Sequence, residues 1–145
     1  MASRSQHRAA RAALGLALLC VAGLVNAVQS CDPANLGCAI FSGDHAMSAH
    51  LRDDDRPLPA WTTRCINCHT QTASTTAFAP PLTPSYLLDA ISRRGGPPSR
   101  YNPATLCRAL RDGIDPDNIM LRKSMPRYEL SDTECAALWR FITND

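Results

Sequence analysis

The sequence has 145 residues, of which 45% are hydrophobic and 19% charged, and its formal charge is +2. This length suits one domain, and the composition argues against global disorder and against a membrane protein of several spans. No segment clusters basic residues densely, which argues against a nucleic-acid binder.

The N-terminal segment 1–27 has the pattern of a secretory signal peptide. It starts with three arginines and no acid, continues with the apolar run 12–24, and ends in the letters V-N-A. Small residues at these last positions are what a signal peptidase recognises. The apolar run is short for a membrane span, which needs about 20 apolar residues.

Removal of this segment would change both the charge and the cysteine count. Three of the 15 basic residues and none of the 13 acids would leave, so the domain 28–145 would carry a formal charge of −1. One of the seven cysteines would also leave, and an even remainder in an exported chain indicates disulfides. We therefore expect a periplasmic protein without a membrane span. A retained anchor and a lipid on Cys31 are the alternatives.

A first helix and a loop are predicted before the middle of the chain. Asp32 can cap the helix, Leu36 and Ile40 recur at helical spacing, and Gly43 follows its end. The segment 44–64 contains three consecutive aspartates and two prolines, and is predicted as an exposed loop. Its acids are interpreted as a solvated tip, with a docking epitope for a basic partner as the alternative.

The pentapeptide 65–69, C-I-N-C-H, carries the strongest functional signal. C-x-x-C-H is the attachment pattern of c-type haem. The thiols of Cys65 and Cys68 can reach the two porphyrin vinyl groups, and His69 can then bind the iron. A thioredoxin-like dithiol would need a βαβ context and a zinc site a second Cys/His pair, and neither is visible. The motif occurs once and predicts one covalently attached haem c.

A six-coordinate haem iron needs a second protein ligand, usually Met or His. Met125 is favoured because it lies in a loop-like stretch before Pro126, and a proline pushes the preceding residue toward an extended backbone. The alternative is that Met125 fills a gap in the hydrophobic core, as methionine often does. His45 and His50 belong to a polar, acid-rich segment and are predicted to be solvated. The other candidate ligands are Met47, Met120, His45 and His50.

Three more helices are predicted after the motif. They run from Thr83 to Gly95, from Asn102 to Gly113, and from Ser131 onward, where a capping box precedes apolar residues at helical spacing. The residues 95–100, G-G-P-P-S-R, are predicted as a turn near the haem edge. No segment alternates as a strand. The predicted fold class is therefore all-α, with about four short helices around the haem.

In the order and spacing of these features the chain resembles the class I c-type cytochromes, the monohaem cytochrome c family. The resemblance covers about 32–144. The residues that carry it, besides the pentapeptide, are Gly37, Phe41, Pro80, Pro81, Met125, Pro126, Leu138 and Phe141. It implies a small cytochrome c-like fold with crossing first and last helices, and a carbonyl of Pro80 or Pro81 that accepts the second N–H of His69. The long segment 42–64 and four extra cysteines depart from the family pattern.

The four extra cysteines allow three disulfide pairings. We favour Cys107–Cys135 together with Cys31–Cys38, because the first bond would join the third and fourth helices across the Met125 loop. Closing that loop would contribute about 3–4 kcal/mol in the chain-entropy account of disulfides. Cys38–Cys135 is the main rival, since the first and last helices are expected to cross.

These features predict a one-electron carrier, not an enzyme, with His69 and Met125 as iron ligands. Methionine ligation raises the reduction potential relative to two histidines. The partners would be an electron donor and an electron acceptor protein, met through small and transient contacts by a monomer. The alternative is a haem subunit docked permanently on a dehydrogenase or oxidase. An open-site haem enzyme or sensor is the third interpretation.

Overall fold

The computed structural model describes residues 31–32, 34–70 and 78–144, so the predicted signal peptide 1–27 lies outside the described residues. The helices are α1 (Leu36–Ser42), α2 (Pro84–Leu88), α3 (Pro103–Asp112) and α4 (Asp132–Thr143), with two 3-10 turns at Ala60–Thr62 and Cys65–Asn67. The strands are β1 (Ala49–His50), β2 (Ile91–Ser92), β3 (Pro98–Ser99) and β4 (Arg127–Tyr128). None of the helices in the described part is long and apolar enough to cross a bilayer.

The prediction of an all-α, cytochrome c-like fold of about four short helices is wrong, because two antiparallel two-stranded sheets accompany the helices. Strand β1 pairs with β4, placing Ala49 opposite Tyr128, and β2 pairs with β3, placing Ile91 opposite Ser99. A strand of two residues is too short to show the alternation by which strands are recognised in a sequence. The β1–β4 pair also joins distant segments, so only the folded chain brings it together.

Helices α3 and α4 follow their predicted end signals closely. Asn102 and Thr105 form a capping box at the start of α3, and Gly113 ends it in the left-handed conformation at φ 69°. Ser131 and Glu134 form the capping box of α4. Each box satisfies backbone N–H groups that a helix start leaves without partners.

Helices α1 and α2 are shorter than predicted. Asn35, not Asp32, caps α1, and its side chain accepts from the Cys38 N–H at 3.0 Å. Helix α2 begins after Thr83 as predicted but ends at Leu88, and the segment up to Gly95 forms the β2–β3 hairpin instead. Its turn needs positive φ angles at Arg94 (48°) and Gly95 (81°), which a continuing helix cannot contain.

The segment 44–64 is not simply an exposed loop. Ala49 is buried in β1 and its carbonyl accepts from the Leu58 N–H at 2.8 Å. Thr63 is also buried. His45, predicted to be solvated, lies 2.7 Å from a Glu134 carboxylate oxygen through its Nε2 atom. These contacts fold the segment back onto β4 and α4.

The core forms where α1 crosses α4. A Cβ atom on Gly37 would lie 2.2 Å from the Ala137 carbonyl oxygen, so the two backbones approach closely there. The rings of Phe41 and Phe141 meet one turn away, with centroids 5.7 Å apart. The disulfides have the favoured pairing rather than the rival one. They are Cys31–Cys38 and Cys107–Cys135.

Candidate cofactor site

A cavity of about 620 Å³ opens into the core between the pentapeptide, α2, the β2–β3 hairpin and the segment before β4. Its volume falls within the range of about 300–1,000 Å³ that is usual for small-molecule and cofactor sites. Apolar side chains of α2, α3 and α4 form its inner part, and the rest of the lining comes from the segments between the helices. The lining includes all six residues predicted for the site, namely Cys65, Cys68, His69, Pro80, Pro81 and Met125.

The pentapeptide reaches the cavity through a tight turn. The carbonyl of Cys65 accepts the N–H of Cys68 at 3.2 Å and that of His69 at 2.9 Å. All three side chains thereby line one cavity. Cys65 and Cys68 are the two cysteines of the described residues that are free of disulfides. Burial raises the pKa of Cys65 to about 11, so its thiol is protonated at neutral pH.

The imidazole of His69 is held through one ring nitrogen, and its other ring nitrogen is buried. Its Nδ1 lies 2.8 Å from the Pro80 carbonyl oxygen, and because a carbonyl only accepts, Nδ1 carries the proton. Its Nε2 is buried and has no hydrogen-bond partner among the described residues. Burial lowers the pKa of His69, which favours the neutral ring. An orphaned Nε2 lone pair opposite a carbonyl-bound Nδ1–H is the arrangement of a metal-ligating histidine.

Met125 is the methionine that lines the cavity, while the alternatives lie elsewhere. Met120 is 50% exposed and is not among the lining residues, and Met47 packs against the core. His45 is engaged by Glu134, and His50 donates from Nδ1 to the Leu51 carbonyl at 3.1 Å. Among the predicted ligands, the fold thus brings His69 and Met125 to the same cavity.

Tyr128 lines the cavity, although no role was predicted for it from the sequence. It is buried in β4, three residues after Met125, and its hydroxyl donates to the Thr63 carbonyl at 2.9 Å. Thr63 lies two residues before Cys65, so this bond ties the methionine segment to the cysteine segment. Burial raises the pKa of Tyr128, so the hydroxyl stays a donor. The sequence feature that could have indicated Tyr128 is its position three residues after Met125, in the pattern Met-Pro-x-Tyr.

Arginines are prominent among the polar residues of the cavity wall. Of the described residues, Arg64, Arg93, Arg94 and Arg122 line it, and no acidic one does. Within the described ranges, no three His, Cys, Asp or Glu side chains gather as a metal-binding group. The sequence predicted a turn only from Gly95 onward, and nothing in it indicated that an arginine just before this turn would be buried.

No family model, curated protein or solved structure matches this chain. The geometry of the cavity is therefore the basis for a proposal about function.

Proposed function

We propose that the protein is an exported one-electron carrier that holds one c-type haem. Cys65 and Cys68 would attach it as thioethers, and His69 and Met125 would bind its iron. The observation that carries the proposal is the His69 ring, whose Nδ1 is fixed by Pro80 and whose buried Nε2 has no hydrogen-bond partner in the described part of the chain. When bound, the haem supplies an iron that cycles between the ferrous and ferric states.

The residues of this chain have a definite task in such a carrier. The Pro80 carbonyl orients the imidazole, and the Tyr128–Thr63 bond holds the Met125 segment beside the attachment turn. Ligands fixed in this way move little when the charge at the site changes, which keeps electron transfer fast. The apolar walls exclude water and favour the less charged state.

The predicted signal peptide supports a periplasmic location for this function. The two disulfides are compatible with an oxidising compartment, although they do not identify it. Thioether attachment is suited to an exported protein, because a cofactor lost there is not easily recovered.

The second candidate is a haem subunit docked permanently on a dehydrogenase or oxidase. Three large apolar side chains near the pentapeptide favour it, since Trp61, Ile66 and Phe78 are 70%, 55% and 73% exposed. Exposed apolar groups gathered in one region mark contact surfaces. Size-exclusion chromatography of the native protein separates the two candidates, because a subunit co-elutes with a large catalytic partner.

The test of the proposal uses the full chain expressed with a periplasmic c-type maturation system. Intact-mass measurement should show one covalent haem, and the oxidised protein should show the weak near-infrared sulfur-to-iron band. Met125→Ala should lose this band, while the matched control Met120→Ala should keep it. A wild-type protein without a covalent adduct would refute haem attachment, and a band that survives in Met125→Ala would refute the ligand assignment.

A further inference from the structure

The segment 44–64 lies against the part of the chain that carries Met125. We call the residues 121–126 the methionine loop. Strand β1 of the segment pairs with β4, which begins directly after this loop, and the pair places His50 opposite Arg127. Antiparallel strands are joined by hydrogen bonds between their backbones. The C-terminal end of the methionine loop is therefore attached to the segment 44–64.

Arg52 attaches the other end of the loop. Its Nη1 donates to the Leu121 carbonyl at 3.2 Å, across 69 positions of the sequence. Its Nε lies 3.6 Å from an Asp53 carboxylate oxygen, and the same oxygen lies 3.8 Å from the Lys123 Nζ. The Arg52 side chain is only 27% exposed, and a hydrogen bond from a charged donor is stronger where water is partly excluded.

A tight turn presents Arg52 to the loop. The Asp54 N–H donates to the Leu51 carbonyl at 3.1 Å, and Asp53 takes the left-handed conformation at φ 66°. The Asp54 carboxylate accepts from the Arg56 guanidinium at 2.9 and 2.7 Å. Two of the three consecutive aspartates thus build the turn, and Arg52 is held in place before it reaches Leu121.

Most residues of the methionine loop line the cavity, but the loop has little regular structure of its own. Between its ends, the Met125 N–H donates to the Arg122 carbonyl at 3.0 Å, which closes a single turn. Met125 is only partly buried. The position of its side chain in the cavity therefore depends on the anchors at the two ends of the loop, and the segment 44–64 supplies an anchor at each end.

We propose that Arg52 is a positioning residue for Met125, and that the segment 44–64 clamps the methionine loop over the cavity. The inference rests on the proposed function, under which the Met125 thioether occupies the sixth position of the iron. The clamp keeps this position closed to small ligands from solution. A closed position is what separates a one-electron carrier from an open-site haem protein, so a weakened clamp should let external ligands bind.

The test measures the affinity of the ferric, haem-loaded chain for imidazole at constant neutral pH. Imidazole competes with Met125 for the iron, so its apparent affinity rises when Met125 is held less firmly. Arg52→Gln should raise this affinity about five- to tenfold, as expected for the loss of one hydrogen bond. Arg52→Lys keeps the cation and should recover most of the wild-type value. Arg56→Gln is the matched control and should change nothing, because Arg56 binds Asp54 within the same segment.

A double-mutant cycle separates positioning from a general loss of stability. In Met125→Ala no thioether competes, so the affinity for imidazole should be highest and adding Arg52→Gln should not change it further. Replacing Cys31 and Cys38 by alanine removes a disulfide outside both the segment and the loop, and should leave the affinity at its wild-type value. An equal rise from Arg52→Gln with and without Met125 would overturn the assignment.

The failure of this inference is distinguishable from the failure of the proposed function. Absence of covalent haem, or a wild-type affinity for imidazole in Met125→Ala, would end the proposed function or its ligand assignment, and the clamp with it. A wild-type affinity in haem-loaded Arg52→Gln would overturn the clamp alone. If Arg52→Gln does not fold, Arg52→Met decides in the same way, because it keeps the aliphatic stem and removes only the donors.

Discussion

The hydrogen bond from Tyr128 to Thr63 can be removed by one substitution, Tyr128→Phe, which deletes the hydroxyl and keeps the ring. The Thr63 carbonyl has no other hydrogen-bond donor among the described residues, and Thr63 is 3% exposed. A buried acceptor left without a donor costs about 1–3 kcal/mol. We expect the free energy of unfolding to fall by this amount.

The substitution should also loosen the Met125 segment, because the bond links β4 to the residues before Cys65. In the haem-loaded protein, the near-infrared methionine band should then disappear at a lower denaturant concentration than in the wild type. Guanidinium titrations followed at this band and by circular dichroism would measure both effects.

Tyr101→Phe is the matched control for this experiment. Tyr101 is also a buried tyrosine of the cavity wall, but its hydroxyl forms no hydrogen bond with the described residues. Its removal should change the free energy of unfolding by less than about 0.5 kcal/mol. Equal losses in the two variants would refute the argument that the Thr63 bond is what Tyr128 contributes.

Three further predictions concern the frame around the cavity. Gly37→Ala should destabilise the protein by about 1–3 kcal/mol, because its Cβ would lie 2.2 Å from a backbone oxygen of α4; chemical denaturation measures this. The Ser131 hydrogen bonds lower the pKa of Glu134 from 4.5 to about 2, so its contribution to stability is complete above pH 4.5 and lost as the pH falls toward 2. The stability difference between wild type and Glu134→Gln should therefore vanish over this range. Replacing both Cys107 and Cys135 by alanine should cost about 3–4 kcal/mol, and thiol titration of the wild type should find no free thiol once haem is attached.

Each of these predictions has its own control. Ala39→Gly, in the same helix as Gly37, should cost only about 1 kcal/mol of helix propensity, and a larger loss there than at Gly37 would contradict the close-approach argument. A Glu134→Gln difference that is constant with pH would contradict the ionic origin of the effect. Removing Cys31–Cys38, which closes a much shorter loop, should cost about 2–3 kcal/mol, less than the other bond.

Local features of the fold could be predicted where short-range chemistry decides them. The start of α3 at Asn102, its end at Gly113 and the capping box at Ser131 are read from a few neighbouring residues, and α3 and α4 follow them. The expected end of α2 was wrong for the opposite reason. The segment after Leu88 forms backbone hydrogen bonds with strand β3 in a hairpin. A prediction of helix ends from neighbouring residues takes no account of such a partner strand.

The sequence by itself indicated the pentapeptide 65–69 as a haem-attachment motif, the methionine proposed as its partner and the favoured disulfide pairing, because these predictions rest on residue type and spacing. Only the tertiary structure decided that Pro80 rather than Pro81 holds the His69 ring, and that Tyr128 joins the two halves of the cavity. It also decided that Arg93 is buried. These properties depend on contacts between distant segments, and burial and hydrogen-bond partners across such distances do not exist until the chain has folded.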